Sequence, residues 1–185
     1  MSDSKTVIAK SVLSSEELAK QMLSLSQRVQ AIRNIAQVRG HFVFDTKLLT
    51  EPSEELEIRI ESRLSGVRHL VKEQRLQVEA DYVFAGTEAG AGSEEKESRR
   101  SFDLSATFIV LYEMMSDISS VPDEVVTAFA SINVPFNLTS YTREFVHSCF
   151  GRVGLPSFEI PPFNAVAAID ALRNRDKAAE AEKAV

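Results

Sequence analysis

Three histidines, one cysteine and an adjacent arginine–glutamate pair are the side chains through which this chain could do metal, nucleophilic or acid–base chemistry. Their spacing supports none of it. His147 is followed at i+4 by Gly151, so a helix carrying it offers no second metal ligand, and no zinc or triad spacing emerges. His41 and His69 fall on or near the polar side of alternating segments. Cys149, the only cysteine, lies in an apolar helical stripe, which indicates a core thiol and leaves no intramolecular disulfide or cysteine-cluster metal site. Arg143 and Glu144 are neighbours on a helix and point about 100° apart, which suits packing or subunit contacts better than a proton relay. The glycines form no phosphate loop. The expectation is a protein that binds rather than an enzyme, with no metal and no cofactor.

What could bind is concentrated between Asn137 and Asn164, NLTSYTREFVHSCFGRVGLPSFEIPPFN. Asn137 or Thr139 can cap a helix whose apolar residues Leu138, Tyr141, Phe145 and Cys149 share one face, and Gly151 and Gly154 stop it. Beyond them Leu155, Phe158, Ile160 and Phe163 are interleaved with Pro156, Pro161 and Pro162. The prolines fix their own φ and push Leu155 and Ile160 towards extended backbone, so this stretch is expected to be an apolar ribbon.

The same segment resembles the signature of the SecB family of export chaperones. In that family a Tyr-x-Arg-Glu helix leads through an Arg-x-Gly turn to a proline-rich loop ending in Pro-x-Asn. Here the matching residues are Tyr141, Arg143 and Glu144, then Arg152 and Gly154, then Pro156, Pro162 and Asn164, in the family's order and spacing. One departure is that Thr139 and Ser140 stand where many members have an aromatic residue and a proline.

The elements that must position this segment come before it. Ser14 and Glu17 fit a capping box, followed by Leu18, Met22, Leu25, Val29 and Ile32 at helical spacing. Four alternating segments come next, each with its apolar residues at even numbers. They carry Val38, Phe42, Phe44 and Leu48; Leu56, Ile58, Ile60 and Leu64; Leu76, Val78, Ala80, Tyr82 and Phe84; and Phe102, Leu104, Phe108, Val110 and Tyr112. Period two over such lengths predicts half-buried strands in an antiparallel sheet. Gly40, and Gly66 with a slip of phase at Val67, mark bulges or bends. Residues 85–98 lack any large apolar side chain and are expected to be a mobile connection. Pro122, Asp123 and Glu124 open a helix carrying Val125, Val126, Phe129 and Ile132, which Pro135 should close. A last helix runs from Asn164 through Val166, Ile169 and Leu172 into a polar tail, 176–185.

Strands first and helices later predicts an α+β fold: a four-stranded antiparallel sheet with helices packed on one face, plus an extra N-terminal helix. The expected division is an extension over 1–31 and one domain over 32–175. The resemblance implies the same architecture, because a SecB protomer is such a sheet. It further implies a homotetramer built as a dimer of dimers. The N-terminal helix and the long 85–98 stretch are similar to the branch of the family that serves toxin–antitoxin systems.

At 44% apolar content the chain can build an ordinary core. No stretch is long enough to cross a bilayer and the first residues lack a signal-peptide core, so the expected location is cytoplasmic. The net charge of −6 divides as +3 over residues 1–50, −4 over 51–100 and −5 over 101–185. With no basic patch, nucleic acid is a poor partner. The resemblance implies an ATP-independent chaperone that keeps unfolded or pre-secretory polypeptides translocation-competent. Leu155, Phe158, Ile160 and Phe163 are the candidate client-binding groove, and client apolar surface would be buried there at about 25 cal/mol per Å². The family also hands clients to the motor SecA through acidic residues on the solvent face of the sheet, a part that Glu57, Glu61, Glu79, Asp81 and Asp103 could play. Arg59 and Arg63 dilute that field. Two other readings stay open: a chaperone dedicated to one antitoxin, and a small-molecule-binding α+β domain.

Overall fold

The computed structural model describes residues 13–50, 56–88 and 100–170. Expectations about residues 1–12, about 89–98 of the connection, and about Leu172 and the 176–185 tail lie outside the described residues.

Helix α1 (Ser15–Gln27) starts as its capping box dictates, with Ser14 Oγ accepting from the Glu17 N–H at 3.3 Å, and it buries Leu18 and Leu25. It ends earlier than its periodicity suggests. Val29 and Ile32 belong instead to strand β1 (Val29–Phe44), where Val29 pairs with Met114, so the boundary expected at 31/32 falls inside a strand. β-branched residues suit a pleated sheet, and here the ladder overrides the helical spacing. Leu48 is likewise outside the strand. It is buried in the short helix α2 (Thr46–Thr50), after Asp45 Oδ1 accepts from the Lys47 N–H at 2.9 Å and turns the chain.

Strands β2 (Leu56–Leu70), β3 (Arg75–Glu88) and β4 (Arg100–Met114) complete one antiparallel sheet in the order β1-β4-β3-β2. A 3-10 turn at Val71–Glu73 joins β2 to β3, with Gln74 in the left-handed region at φ 51°. Residues 85–88 are strand rather than connection, since Ala85 and Gly86 pair with Asp103 and Phe102.

In the two central strands the expected parity holds, and the even residues from Leu76 to Phe84 and from Phe102 to Met114 are buried. β2 slips register between Leu64 and Gly66, as the phase change there anticipates. That slip brings His69 opposite Leu76, in inner-face register and not on the polar side. β1 breaks register three times, and each break inverts its parity. Ile35 and Gln37, not Val38, therefore sit opposite the buried Val110 and Phe108. Val38 is left exposed.

The largest correction concerns the helices. A single helix, α3 (Asp123–Arg152), crosses the inner face of the sheet without stopping at Pro135 or restarting at Asn137. An internal proline costs about 3 kcal/mol or more. Val134 and Leu138 on either side are fully buried, each contributing about 1.5–3 kcal/mol, so continuing the helix wins. Asn137 is no cap: its Nδ2 donates to Tyr112 Oη at 2.9 Å and ties helix to sheet. Burial pushes the Tyr112 phenol up to about 12, against the opposing pull of that bond, so it stays neutral as an acceptor. Along α3, Phe129 meets Tyr112, Phe145 meets Phe84, and Phe150 meets Phe102. α1 packs on the first half of α3. Residues 165–170 form helix α4, whose first turn is capped by Asn164 Oδ1 accepting from the Ala167 N–H at 3.0 Å.

Candidate functional site

α3 runs through Gly151, and Gly154 ends it. Val153 is the C-cap, Gly154 takes φ 76°, the Gly154 N–H donates to Gly151 O at 3.2 Å, and the Leu155 N–H donates to Phe150 O at 3.1 Å. This pair of bonds is a Schellman motif, and it needs a residue that tolerates positive φ. It swings the ribbon 155–164 back along α3.

The ribbon closes over an aromatic cluster at one end of the sheet. The Phe158 ring lies 5.7 Å from Phe102, nearly parallel, and 5.6 Å from Phe150, edge-on. Phe44 meets Phe150 at 5.0 Å and Phe102 at 6.1 Å. Gly86 makes room for this arrangement, because a Cβ there would overlap the Phe102 ring. At the rim Phe42 stands 6.2 Å from Phe44 under the Arg152 guanidinium, and it is 38% exposed. Two side chains of α3 reach the ribbon. Arg143 donates from Nε and Nη2 to Ile160 O at 3.0 and 2.8 Å, and His147 Nδ1 is 2.8 Å from Ser157 Oγ.

The four expected groove residues are therefore gathered on one strap, but unequally open. Ile160 is 8% exposed, whereas Leu155, Phe158 and Phe163 are half-buried. A depression of about 450 Å³ lies beside two of them, Phe158 and Ile160, and is lined on the helix side by Arg143, Glu144 and His147. A second, of about 360 Å³, opens on the other flank of α3 between Tyr141, Phe145 and β1. Among the signature residues, Arg143 holds the ribbon, Gly154 turns it, Pro156 and Pro162 remove backbone donors from it, and Asn164 caps α4. Tyr141 and Glu144 line the depressions. Periodicity overlooked Phe150, whose position next to Cys149 places it off the expected stripe. The helix end is buried on two sides, so a single stripe could not reveal it.

The acidic residues lie on the opposite, outer face, where a concavity of about 1460 Å³ runs between the edge strands. They are met by arginines. Glu79 pairs with Arg39 at 3.1 Å, Asp81 with Arg63 at 3.1 Å, and Glu61 with Arg59. Thr107 Oγ1 also donates to Asp81 at 2.8 Å. Burial raises the Asp81 pKa, but the Thr107 and Arg63 hydrogen bonds together hold the carboxyl below the usual carboxylate range. Glu57 and Asp103 share this face by register.

Elsewhere, burial pushes the Cys149 thiol up, against the weaker pull of Arg152, which suits a packed thiol rather than a nucleophile. A cavity of about 320 Å³ lies between α1 and α3, lined mainly by Leu18, Met22, Leu23, Ile132 and Ile169. Two of the polar residues lining it, Ser26 and Asn133, are bonded to their own helix backbone, at Met22 O and Phe129 O. Among the described residues no helix is long and apolar enough to cross a membrane.

No protein-family model matches the chain, and no curated protein matches it by sequence. Among solved structures, the SecB-like chaperone Rv1957 of Mycobacterium tuberculosis, in complex with a ChAD peptide from the Rv1956 HigA1 antitoxin, superposes with a TM-score of 0.61. The identity is 16%, over 78% of this chain and 97% of that one. A protein of unknown function from Streptococcus agalactiae aligns at a TM-score of 0.31 and 10% identity, over 71% of this chain and 95% of that one, and carries no argument. The fold is SecB-like.

Proposed function

We propose that this protein with a SecB-like fold is an ATP-independent cytoplasmic chaperone that binds unfolded polypeptide, with an antitoxin as its principal client, at the aromatic end of its sheet. The observation that carries this reading is the superposition on a chaperone holding an antitoxin peptide, over nearly that chaperone's whole length. The surface supports it: exposed Phe42 leads to the half-buried Phe44 and to the strap with Leu155, Phe158 and Phe163. Apolar burial is non-directional, so a surface of this kind holds an extended chain without chemistry or nucleotide.

General export with hand-over to SecA is the weaker alternative. An acidic lure needs uncompensated charge, whereas Glu61, Glu79 and Asp81 each have an arginine partner. The small-molecule reading finds little support in the α1–α3 cavity, whose Ser26 and Asn133 are engaged by helix carbonyls.

The reading is tested by the aggregation of a denatured reporter protein, and of the antitoxin from any toxin–antitoxin pair beside its gene, with wild type and with Leu155→Asp/Phe163→Asp. Wild type should suppress both, and the double variant should lose most of the effect. Equal suppression would remove the ribbon as the site. The family's assembly, a dimer of dimers, is checked by light scattering on the purified chain, and a strict monomer would contradict it.

A further inference from the structure

We infer that Phe158 is a built-in occupant of the aromatic slot and that the ribbon is a strap which a client must lift. The inference rests on the chaperone reading and specifies how its site is regulated. Phe44, Phe102 and Phe150 form three walls, and the Phe158 ring supplies the contact an incoming aromatic or aliphatic side chain would make, stacked on one wall and edge-on to another.

The fastening is of the kind that opens. Among the described residues, 156–163 make no backbone–backbone hydrogen bond, so neither sheet ladder nor helix holds the strap. Three of these positions, Pro156, Pro161 and Pro162, have no N–H to give. What remains is side-chain attachment: the Arg143 fork on Ile160 O, the His147–Ser157 contact, and the Phe158 and Ile160 side chains themselves. Segments held by few backbone bonds open at low free energy. At the near end Gly154, at φ 76°, gives the strap a pivot. Lifting it would bare the slot and also free the ribbon's remaining backbone groups to pair with an extended chain.

A direct contact and a built-in competitor predict opposite signs on truncation. The probe is fluorescein-labelled carboxymethylated lactalbumin, a permanently unfolded chain, titrated by anisotropy into the full-length protein and into Phe158→Ala and Arg143→Leu. If the strap is open about a tenth of the time, emptying the slot raises apparent affinity about tenfold, because apparent affinity scales with the competent fraction. Arg143→Leu should shift affinity the same way while keeping the ring, and amide exchange at 157–160 should quicken in that variant and in client-bound wild type. Weaker binding by Phe158→Ala, with client protecting those amides, would make the ring a plain contact and overturn the strap while leaving the chaperone reading intact. Absence of binding by all three proteins overturns both. Should Phe158→Ala fail to unfold cooperatively in urea, Arg143→Leu decides alone: tighter binding supports the strap, and unchanged or weaker binding overturns it.

Discussion

The outer face of the sheet and its aromatic end spend their side chains in opposite ways. On the outer face arginines from both edge strands reach the acids of β2 and β3, so the charges largely answer one another. Under the ribbon the groups that meet are rings, Phe102 and Phe150 buried, Phe44 and Phe158 half-covered and Phe42 exposed at the rim. The difference teaches where a partner gains most. Exposed ion pairs contribute about 0–1 kcal/mol each and offer a newcomer only what they already have. Apolar surface left near water still has its burial to give, at about 25 cal/mol per Å².

The largest expected effect is Phe102→Ala, which empties the shared wall of the cluster and should cost about 3–5 kcal/mol in urea unfolding. A cost under about 1 kcal/mol would mean that the rings of the cluster are not close-packed. Gly86→Ala should come second at about 1–3 kcal/mol, because the added methyl overlaps the Phe102 ring. The same change made in Phe102→Ala should cost far less, and additive costs would break the proposed coupling.

On the other face Asp81→Asn should cost about 1 kcal/mol or less at pH 7. The folded-state pKa lies below the ordinary value of 3.8, so the carboxylate's contribution is present above that value and disappears as pH falls through the folded pKa. The gap between wild type and variant should therefore be widest near neutrality and close once pH has fallen through the folded pKa. A gap that persists in acid would assign the effect to packing. Smallest of all should be Glu57→Gln/Glu61→Gln/Glu79→Gln on client binding, with affinity kept within about twofold at physiological salt. A tenfold loss would move the site to the outer face.

Much of this architecture was legible because β3 and β4 are central strands with one face dry and the other wet, which writes a clean period of two. Gly66, on the edge strand β2, announced its slip through the change of phase at Val67. β1 hid its true faces, since three bulges invert parity without any glycine or proline at the first two. Pro135 misled because local propensity ends a helix there while burial of Val134 and Leu138 carries it on. The ribbon was readable from its prolines and apolar residues. That Phe158 fills a slot between β4 and α3, and that Arg39 reaches Glu79 across β4, depends on which strands are neighbours, and no local pattern encodes strand order.

The most direct test is a client peptide carrying a photo-crosslinker, bound to the full-length protein, irradiated and mapped by mass spectrometry. Adducts on Phe42, Phe150 and the 155–163 ribbon are predicted. Adducts gathered on Arg39, Arg63, Glu79 and Asp81 instead would contradict the account.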